Sequence, residues 1–279
     1  MRAVIAAPYA WLVVFFLLPF ALVLTIAVGT NNPDAVPPVD LGFSFANFAR
    51  LFTDRLYIDA WLSSLRIAAV STLGTLLLGY PMAYAIARAP DSRRGLLLML
   101  IVLPFWTSFL LRVYAWIGLL KHDGVINNIL MSLGLIHQPL TLLQTDFAVY
   151  VGIVYSYLPF MILPLYANLE KHDGAQLEAA ADLGARPFTA FLRVTLPQSV
   201  PGIIAGSLLV FIPAVGEYVV PSLLGRTDQL MIGRVLSDEF FENRDWPLAS
   251  AVAILMLLLL VIPIMLFQRS GGRQIGSHR

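Results

Sequence analysis

Two ionisable residues interrupt otherwise apolar stretches of this sequence. Arg112 is the only charged residue in 95–120, and Glu217 is the only one in 194–225. Because a charged group in a lipid-buried helix is costly, such a residue predicts either a functional site or an ion pair that locks helices together. For Glu217 the ion-pair partner would be Arg112 or Arg66, and both interpretations stay open at this point.

Aromatic residues accompany these charges in the sequence. A carboxylate and aromatic ring faces together attract organic cations, so we predict an outer vestibule that accepts a cationic solute. Trp and Tyr also collect at membrane–water interfaces, and an interfacial belt is the alternative for the aromatic members. The candidate vestibule residues are Glu217, Tyr218, Trp106, Tyr114, Trp116 and Arg112.

A second informative stretch is the loop 170–198. Its apolar residues recur at helical spacing, Gly184 followed by Pro187 stops the first helix, and a second apolar face follows. The pattern predicts a helix–turn–helix at the membrane surface. Its small residues Ala179 and Ala180 would let another protein approach closely, although an amphipathic loop of this kind can also rest on lipid headgroups.

The composition shows which solvent surrounds these residues. The 279 residues are 58% hydrophobic and 13% charged, whereas soluble domains carry about 25% charged residues. The absence of Cys excludes disulfides, thiolate metal sites and a cysteine nucleophile, and the four His residues show no metal-ligand spacing. We therefore expect a membrane protein with no catalytic residue and no metal site, and the net charge of +1 gives no reason to expect a nucleic acid partner.

Six stretches are long enough to cross a bilayer, which requires about 20 apolar residues per helix. None alternates with the period of a barrel strand, so the predicted fold class is all-α, a polytopic membrane protein with six transmembrane helices in one domain. The first apolar run is longer than the core of a cleaved signal, so we expect a retained anchor. The predicted spans are 8–29, 63–88, 95–120, 147–169, 199–224 and 247–268.

The distribution of charge predicts the orientation. Ten of the 18 Lys and Arg residues fall on the side of the two termini and six on the other side, so the positive-inside rule places both termini in the cytoplasm. Acidic residues are distributed in the opposite sense. Counted along straight helices, Arg112 and Glu217 would lie at a similar height near the outer side. The acidic outer face would concentrate a cationic solute or is simply solvated loop surface.

The loop 170–198 resembles the EAA loop of permease subunits in bacterial binding-protein-dependent ABC importers. The resemblance implies the type I importer permease fold, with a cytoplasmic coupling loop that docks into a separate ATPase. Glu178 would then be a charged anchor and Gly184 the turn residue. No Walker A motif occurs in the chain, which fits an ATPase on another subunit. Val194 stands where the pattern more often has Ile. The matching residues are Glu178, Ala179, Ala180, Gly184, Val194, Leu196 and Pro197.

Other stretches are similar to polyamine permeases, and most similar to the first permease of a putrescine or spermidine importer. They include LPFWTSFLLRVYAWIGLL at 103–120 and PAVGEYVVPSLLG at 213–225. The resemblance implies a second homologous permease, an ATPase dimer that uses ATP and Mg, and a periplasmic substrate-binding protein that delivers the solute. It implies that this chain itself binds no cofactor, and that its first helix wraps the partner permease.

Three alternatives stay open. The importer could carry another small organic solute. A self-contained secondary carrier is a second possibility, although such carriers often contain inverted repeats and none is evident in this sequence. A membrane enzyme is a third, but no Ser-His-Asp set and no metal-like spacing supports it.

Overall fold

The structure is a computed structural model that describes residues 2–275, which form mainly helices. They divide into two compact units. One consists of the described residues up to Ser63 together with those from Leu230 onwards, and the other is Ser64–Gln229. The helix α4, Arg55–Ala87, contributes residues to both.

The first unit is built on its first and last helices. A π-helical stretch, Val13–Leu17, joins α1 to α2, and α14 packs against α2 and α3. The Asn47 side-chain amide donates to the carbonyls of Ala27 at 2.9 Å and Gly29 at 2.8 Å, which ties α3 to the end of α2. The elements are α1 (Arg2–Leu12), α2 (Leu18–Ala27), the antiparallel pair β1 (Thr30–Asn31) and β2 (Val39–Asp40), α3 (Ala46–Thr53), α13 (Ile232–Ser237) and α14 (Trp246–Ile275).

The second unit is a helical bundle. Its buried core lies between α4, α8 and α11, and includes Ala83, Ile162 and Val210. The helices that follow α4 are α5 (Asp91–Val102), α6 (Phe109–Leu120), α7 (Val125–Ser132), α8 (Asp146–Leu169), α9 (Gly174–Asp182), α10 (Pro187–Ala190), α11 (Leu196–Val215) and α12 (Val219–Leu224).

Among the described residues, four helices are long and apolar enough to cross a membrane. A fifth candidate is the bent pair Asp91–Trp106 and Phe109–Ser132, and Trp246–Val261 is a shorter apolar helix. All six predicted spans thus fall on helical segments. The four long helices are Pro8–Ala27, Arg55–Ala87, Asp146–Leu169 and Pro187–Val215.

The third predicted span is not a straight helix, which corrects the height assigned to Arg112. The helices on either side of Thr107 are bent by 90°. Leu103–Trp106 tightens into a 3-10 turn at Pro104, and Thr107 and Ser108 are extended, with ψ of 153° and 136°. Proline removes a helical hydrogen bond, which explains why the helix ends here. The assumption of one straight helix with a uniform rise per residue along 95–120 is therefore wrong.

The fifth predicted span is interrupted as well. Helix α11 ends at Val215, Gly216 caps it, and α12 begins at Val219 after Glu217 and Tyr218. The interruption coincides with Pro213 in the last turn of α11 and with Gly216. It places a carboxylate and an aromatic side chain on irregular backbone between two helices.

The contact between α8 and α11 in the second unit depends on two glycines that the sequence patterns described above did not single out. A Cβ on Gly202 would lie 2.8 Å from Asn168 Cβ, and a Cβ on Gly206 would lie 2.8 Å from Met161 Sδ. The two glycines are four residues apart on α11, the spacing that lets membrane helices approach closely. This GxxxG spacing is the sequence signal that could have identified the contact between α8 and α11.

Replacing Gly206 by Ala is expected to lower the stability of the second unit by about 1–3 kcal/mol, because the new methyl group would also lie 3.0 Å from the Met161 carbonyl oxygen. Thermal unfolding of the purified protein in detergent measures the effect as a lower Tm. Gly118→Ala on α6 is the matched control, since nothing lies within 4 Å of its added methyl group. Equal Tm values for the two variants would contradict the prediction.

Candidate functional site

The loop 170–198 contains the predicted helix–turn–helix. The Asp173 carboxylate accepts a hydrogen bond from Ala175 N at 3.0 Å and caps the start of α9. At the other end, Gly184 has φ +78°. Its N–H donates to the Ala181 carbonyl at 2.8 Å, and the Ala185 N–H donates to the Ala180 carbonyl at 3.0 Å. These bonds define a Schellman motif, which favours glycine at this position.

The part of the loop that follows the turn at Gly184 is its second arm. Aromatic side chains attach this second arm to α4. The Phe191 ring lies edge-on to the rings of Tyr80 and Tyr84, with centroids 5.7 Å and 6.0 Å away. The Tyr80 hydroxyl is also hydrogen-bonded to Ser199 Oγ at 2.9 Å. Together with a hydrogen bond between Gln176 and Gln198, these contacts join α9, α11 and α4. The loop is thus attached to two of the long helices.

The predicted coupling residues lie along this loop with different exposure. Glu178 and Ala179 are exposed on α9, and Ala180 is half-buried. Leu183, just before the turn at Gly184, is 89% exposed. Leu196 and Pro197 form the first turn of α11.

An arginine clamp lies where this loop leaves α8. Arg94 Nη1 donates to Glu170 Oε1 at 3.1 Å. Arg94 Nη2 donates to the Ala89 carbonyl at 3.2 Å and lies 3.1 Å from Asp91 Oδ1. Since Glu170 caps the end of α8, one guanidinium joins the ends of α4 and α8 to the start of α5. No local sequence pattern predicts this clamp, because its members are far apart along the chain.

The structure does not contain the ion pair considered for Glu217. Glu217 is 7% exposed, and its carboxylate accepts hydrogen bonds from the Tyr157 hydroxyl and from the backbone N–H groups of Val219, at 3.0 Å, and Val220, at 3.3 Å. The two backbone donors lie at the start of α12, and Tyr157 lies on α8. The carboxylate therefore fastens the start of α12 to α8.

The two arginines considered as partners of Glu217 have other contacts. Arg66 Nη2 donates to Asp146 Oδ2 at 2.7 Å. The Arg112 guanidinium carbon lies 5.0 Å from the Phe105 ring centroid and 5.7 Å from that of Phe109. These rings flank the bend at Thr107, and the cation–π contacts account for part of the stabilisation of a charge in an apolar environment.

The predicted vestibule aromatics are distributed over several surfaces. Trp106 is 81% exposed beside the bend, and Tyr114 and Tyr218 are exposed as well. Trp116 instead packs edge-on against Tyr155, with ring centroids 5.5 Å apart. Within residues 2–275, no hydrogen bond or ring contact joins these side chains to Glu217.

A buried carboxylate also organises the segment 231–245 of the first unit. Glu239 accepts hydrogen bonds from the Tyr57 hydroxyl at 2.6 Å and from Asn243 Nδ2 at 2.9 Å. Burial raises the pKa of the neighbouring Asp245 carboxyl, and the charge of Glu239 raises it further, although the Leu248 N–H and Arg50 oppose the shift. These contacts thus hold the segment 231–245 within the first unit.

Possible metal ligands do not cluster in the part of the chain that the structure describes. No group of three or more His, Asp or Glu side chains there could hold a metal ion.

Comparison with known proteins decides what kind of protein this is. The family described as "Binding-protein-dependent transport system inner membrane component" matches residues 75–274. The chain belongs to this family. It is thus an inner membrane transport component and not an enzyme. The matched range includes the loop 170–198, Glu217 and the arginine clamp.

Relatives of this inner membrane component match it over almost its whole length. The spermidine/putrescine transport system permease protein PotB of Haemophilus influenzae is 41% identical over 96% of this chain and 93% of its own length. PotB of Escherichia coli is 40% identical over 93% of this chain and 94% of its own length.

A solved structure shows the same fold. It is that of a bacterial ABC transporter involved in the import of the acidic polysaccharide alginate, with a TM-score of 0.73 and 19% identity. The match covers 99% of this inner membrane component and 96% of the transporter chain. The match extends over almost the whole chain, so this inner membrane component has the fold of that transporter chain.

Proposed function

We propose that this chain is the permease subunit of an ATP-driven importer that moves polyamines, spermidine or putrescine, into the cytoplasm. The observation that carries the proposal is the identity of about 40% to PotB proteins over more than nine tenths of both chains. The nearly complete coverage of both chains argues for a common role rather than one shared segment.

The proposed membrane arrangement has six spans and cytoplasmic termini. Four helices have the length and composition of spans, the bent pair supplies a fifth, and α14 begins with the apolar stretch Trp246–Val261. The excess of Lys and Arg on the side of the termini supports this orientation. The loop 170–198 then lies in the cytoplasm.

In this arrangement the loop 170–198 receives the ATPase. Its exposed Glu178 and Ala179 present a charge beside a small surface, and the Schellman motif fixes the turn at Gly184. Ala180, Leu196 and Pro197 complete the contact. The contacts of Phe191 with α4 would transmit movement of the loop to a long helix. ATP and Mg are used by the partner ATPase, and this chain binds no cofactor.

The proposed path of the cation passes the interruption at Glu217. In the structure the Glu217 carboxylate already accepts hydrogen bonds from the Tyr157 hydroxyl and from two backbone N–H groups. We infer that this closed arrangement opens during the transport cycle, so that Glu217 and the exposed Tyr218 face the cation. Trp106 beside the bend would form the outer approach together with Arg112, Tyr114 and Trp116 on α6.

Two further partners complete the importer: a homologous second permease and a periplasmic substrate-binding protein. The family description names dependence on a binding protein. The first helix supports the second permease, because almost none of Pro8–Ala27 is buried within the described residues. Such a helix has apolar surface available for a partner chain as well as for lipid.

The decisive experiment measures uptake of labelled putrescine into vesicles that contain this chain with all its partner subunits. Unlabelled spermidine is expected to compete and a non-amine solute of similar size is not. ATP is expected to be required, and a proton gradient alone should not support uptake.

Each other outcome identifies a different alternative. If no polyamine competes while uptake of another small organic solute still requires ATP, the importer carries that solute instead. If uptake proceeds on a proton gradient without the partner subunits, the chain is a self-contained secondary carrier. Orientation is measured separately, by labelling of single cysteines introduced into this cysteine-free chain.

A further inference from the structure

A cavity in the loop 170–198 is not explained by the contacts described above. It measures about 560 Å³ and lies between the end of α9, the turn at Gly184 and the second arm of the loop. Two arginines and several small residues line it. We call it the arginine pocket; its lining includes Ala180, Gly184, Ala185, Arg186, Ala190 and Arg193.

The two guanidinium groups of the arginine pocket lack counter-charges within the part of the chain that the structure describes. Neither Arg186 nor Arg193 forms an ion pair there, and none of the described lining residues is acidic. The arginines are not needed to cap α9, because the carbonyls of Ala180 and Ala181 already accept backbone hydrogen bonds. The pocket is therefore a site of uncompensated positive charge.

Its surroundings match a protein partner better than a lipid. Leu183 on one side of the turn is 89% exposed, and Phe188 on the other is 71% exposed. A protein that covered the pocket would bury both apolar side chains while its own charged group entered between them. The small lining residues would let that group approach closely.

We propose that the arginine pocket receives a carboxylate side chain of the partner ATPase. The inference rests on the proposed function and adds the chemistry by which the ATPase is recognised. A guanidinium binds a carboxylate through two parallel hydrogen bonds, which gives a directional contact as well as charge attraction. The pocket would thereby fix the rotational position of the ATPase on the loop, in addition to the contact made by Glu178.

The test titrates purified ATPase onto the complex of both permeases and measures the affinity, once in nanodiscs of neutral lipid and once in nanodiscs that contain anionic lipid. Arg186→Glu combined with Arg193→Glu is expected to weaken binding at least tenfold at low salt and to reduce the salt dependence of the affinity. The double Lys variant should keep most of the affinity. Replacement of one acidic ATPase surface residue by Lys should restore binding to the double Glu variant.

Arg93→Glu is the matched control, because Arg93 is exposed near the start of α5 and does not line the pocket. It should bind the ATPase as the unmodified chain does. Equal affinity of the unmodified chain and the double Glu variant would overturn the inference. So would an effect confined to nanodiscs that contain anionic lipid, which would assign the pocket to a lipid headgroup.

Failure of the inference is distinguishable from failure of the proposed function. If the unmodified complex binds no ATPase at all, the proposed function fails. If it binds the ATPase with unchanged affinity after both arginines are reversed, the proposed function stands and only the role of the arginine pocket is excluded.

Discussion

Replacement of Glu217 by Gln is expected to reduce polyamine uptake at least about tenfold, a factor that corresponds to roughly 1.4 kcal/mol, while the protein remains folded. Gln keeps an oxygen that can accept from Val219 N and Val220 N, and its amide can donate to the Tyr157 hydroxyl, which then acts as acceptor. The negative charge is lost, and with it the attraction for a cation. Uptake of labelled spermidine and Tm are measured on the same preparation.

Glu217→Ala and Tyr157→Phe complete this comparison. Ala leaves two backbone N–H groups and a hydroxyl without an acceptor, at a cost of about 1–3 kcal/mol for each, so its Tm should fall as well. Phe keeps the carboxylate charge and should retain uptake. If Glu217→Gln transports at the original rate with the original dependence on spermidine concentration, Glu217 only attaches α12 to α8 and is not part of the cation path.

Gly184→Val is expected to abolish coupling while the spans remain intact. Gly184 has φ +78°, which costs an ordinary residue roughly 1–2 kcal/mol and a β-branched residue more. Relief of this strain would break the Schellman hydrogen bonds at Ala180 and Ala181 and reorient α9. ATPase binding, ATP hydrolysis and uptake should all fall, whereas the Tm of the permease in detergent should fall only slightly, because the strain is confined to the turn and the added Cβ meets no atom within 4 Å.

Two substitutions separate backbone conformation from side-chain size in this experiment. Gly184→Asn should keep most of the activity, because Asn tolerates the left-handed region better than Val. Gly174→Ala, at the start of the same helix, has neither a positive φ nor a neighbouring atom within 4 Å and should be silent. Full transport by Gly184→Val would show that the geometry of the turn does not matter for coupling.

The helical segments and the turn of the coupling loop follow from local sequence. An uncharged apolar run such as 147–169 can satisfy its backbone in lipid only as a helix, and α8 indeed covers Asp146–Leu169. Gly184 followed by Pro187 indicates a helix end from residue types alone. Both features depend on interactions between residues close together along the chain, which is why sequence patterns reveal them.

The partners of the buried charges do not follow from local sequence. Glu217 is hydrogen-bonded to Tyr157, which lies sixty residues earlier in the chain. Arg94 is hydrogen-bonded to Glu170, which lies seventy-six residues later. The ion pair considered as one interpretation of Glu217 does not form in the structure, because opposite charge indicates only which groups attract, whereas packing decides which groups meet. A tyrosine hydroxyl and two free N–H groups at a helix start satisfy a carboxylate equally well.

The bend at Thr107 has a consequence for the bilayer itself. The first N–H groups of α6 have no partner within their helix, and Ser108 gives them no side-chain cap. Hydrocarbon tails cannot hydrogen-bond to such groups, so an abrupt change of helix direction is stable only where water or another chain reaches it. The backbone at the bend therefore requires a break in the hydrophobic barrier, where water surrounds it unless a neighbouring subunit covers it.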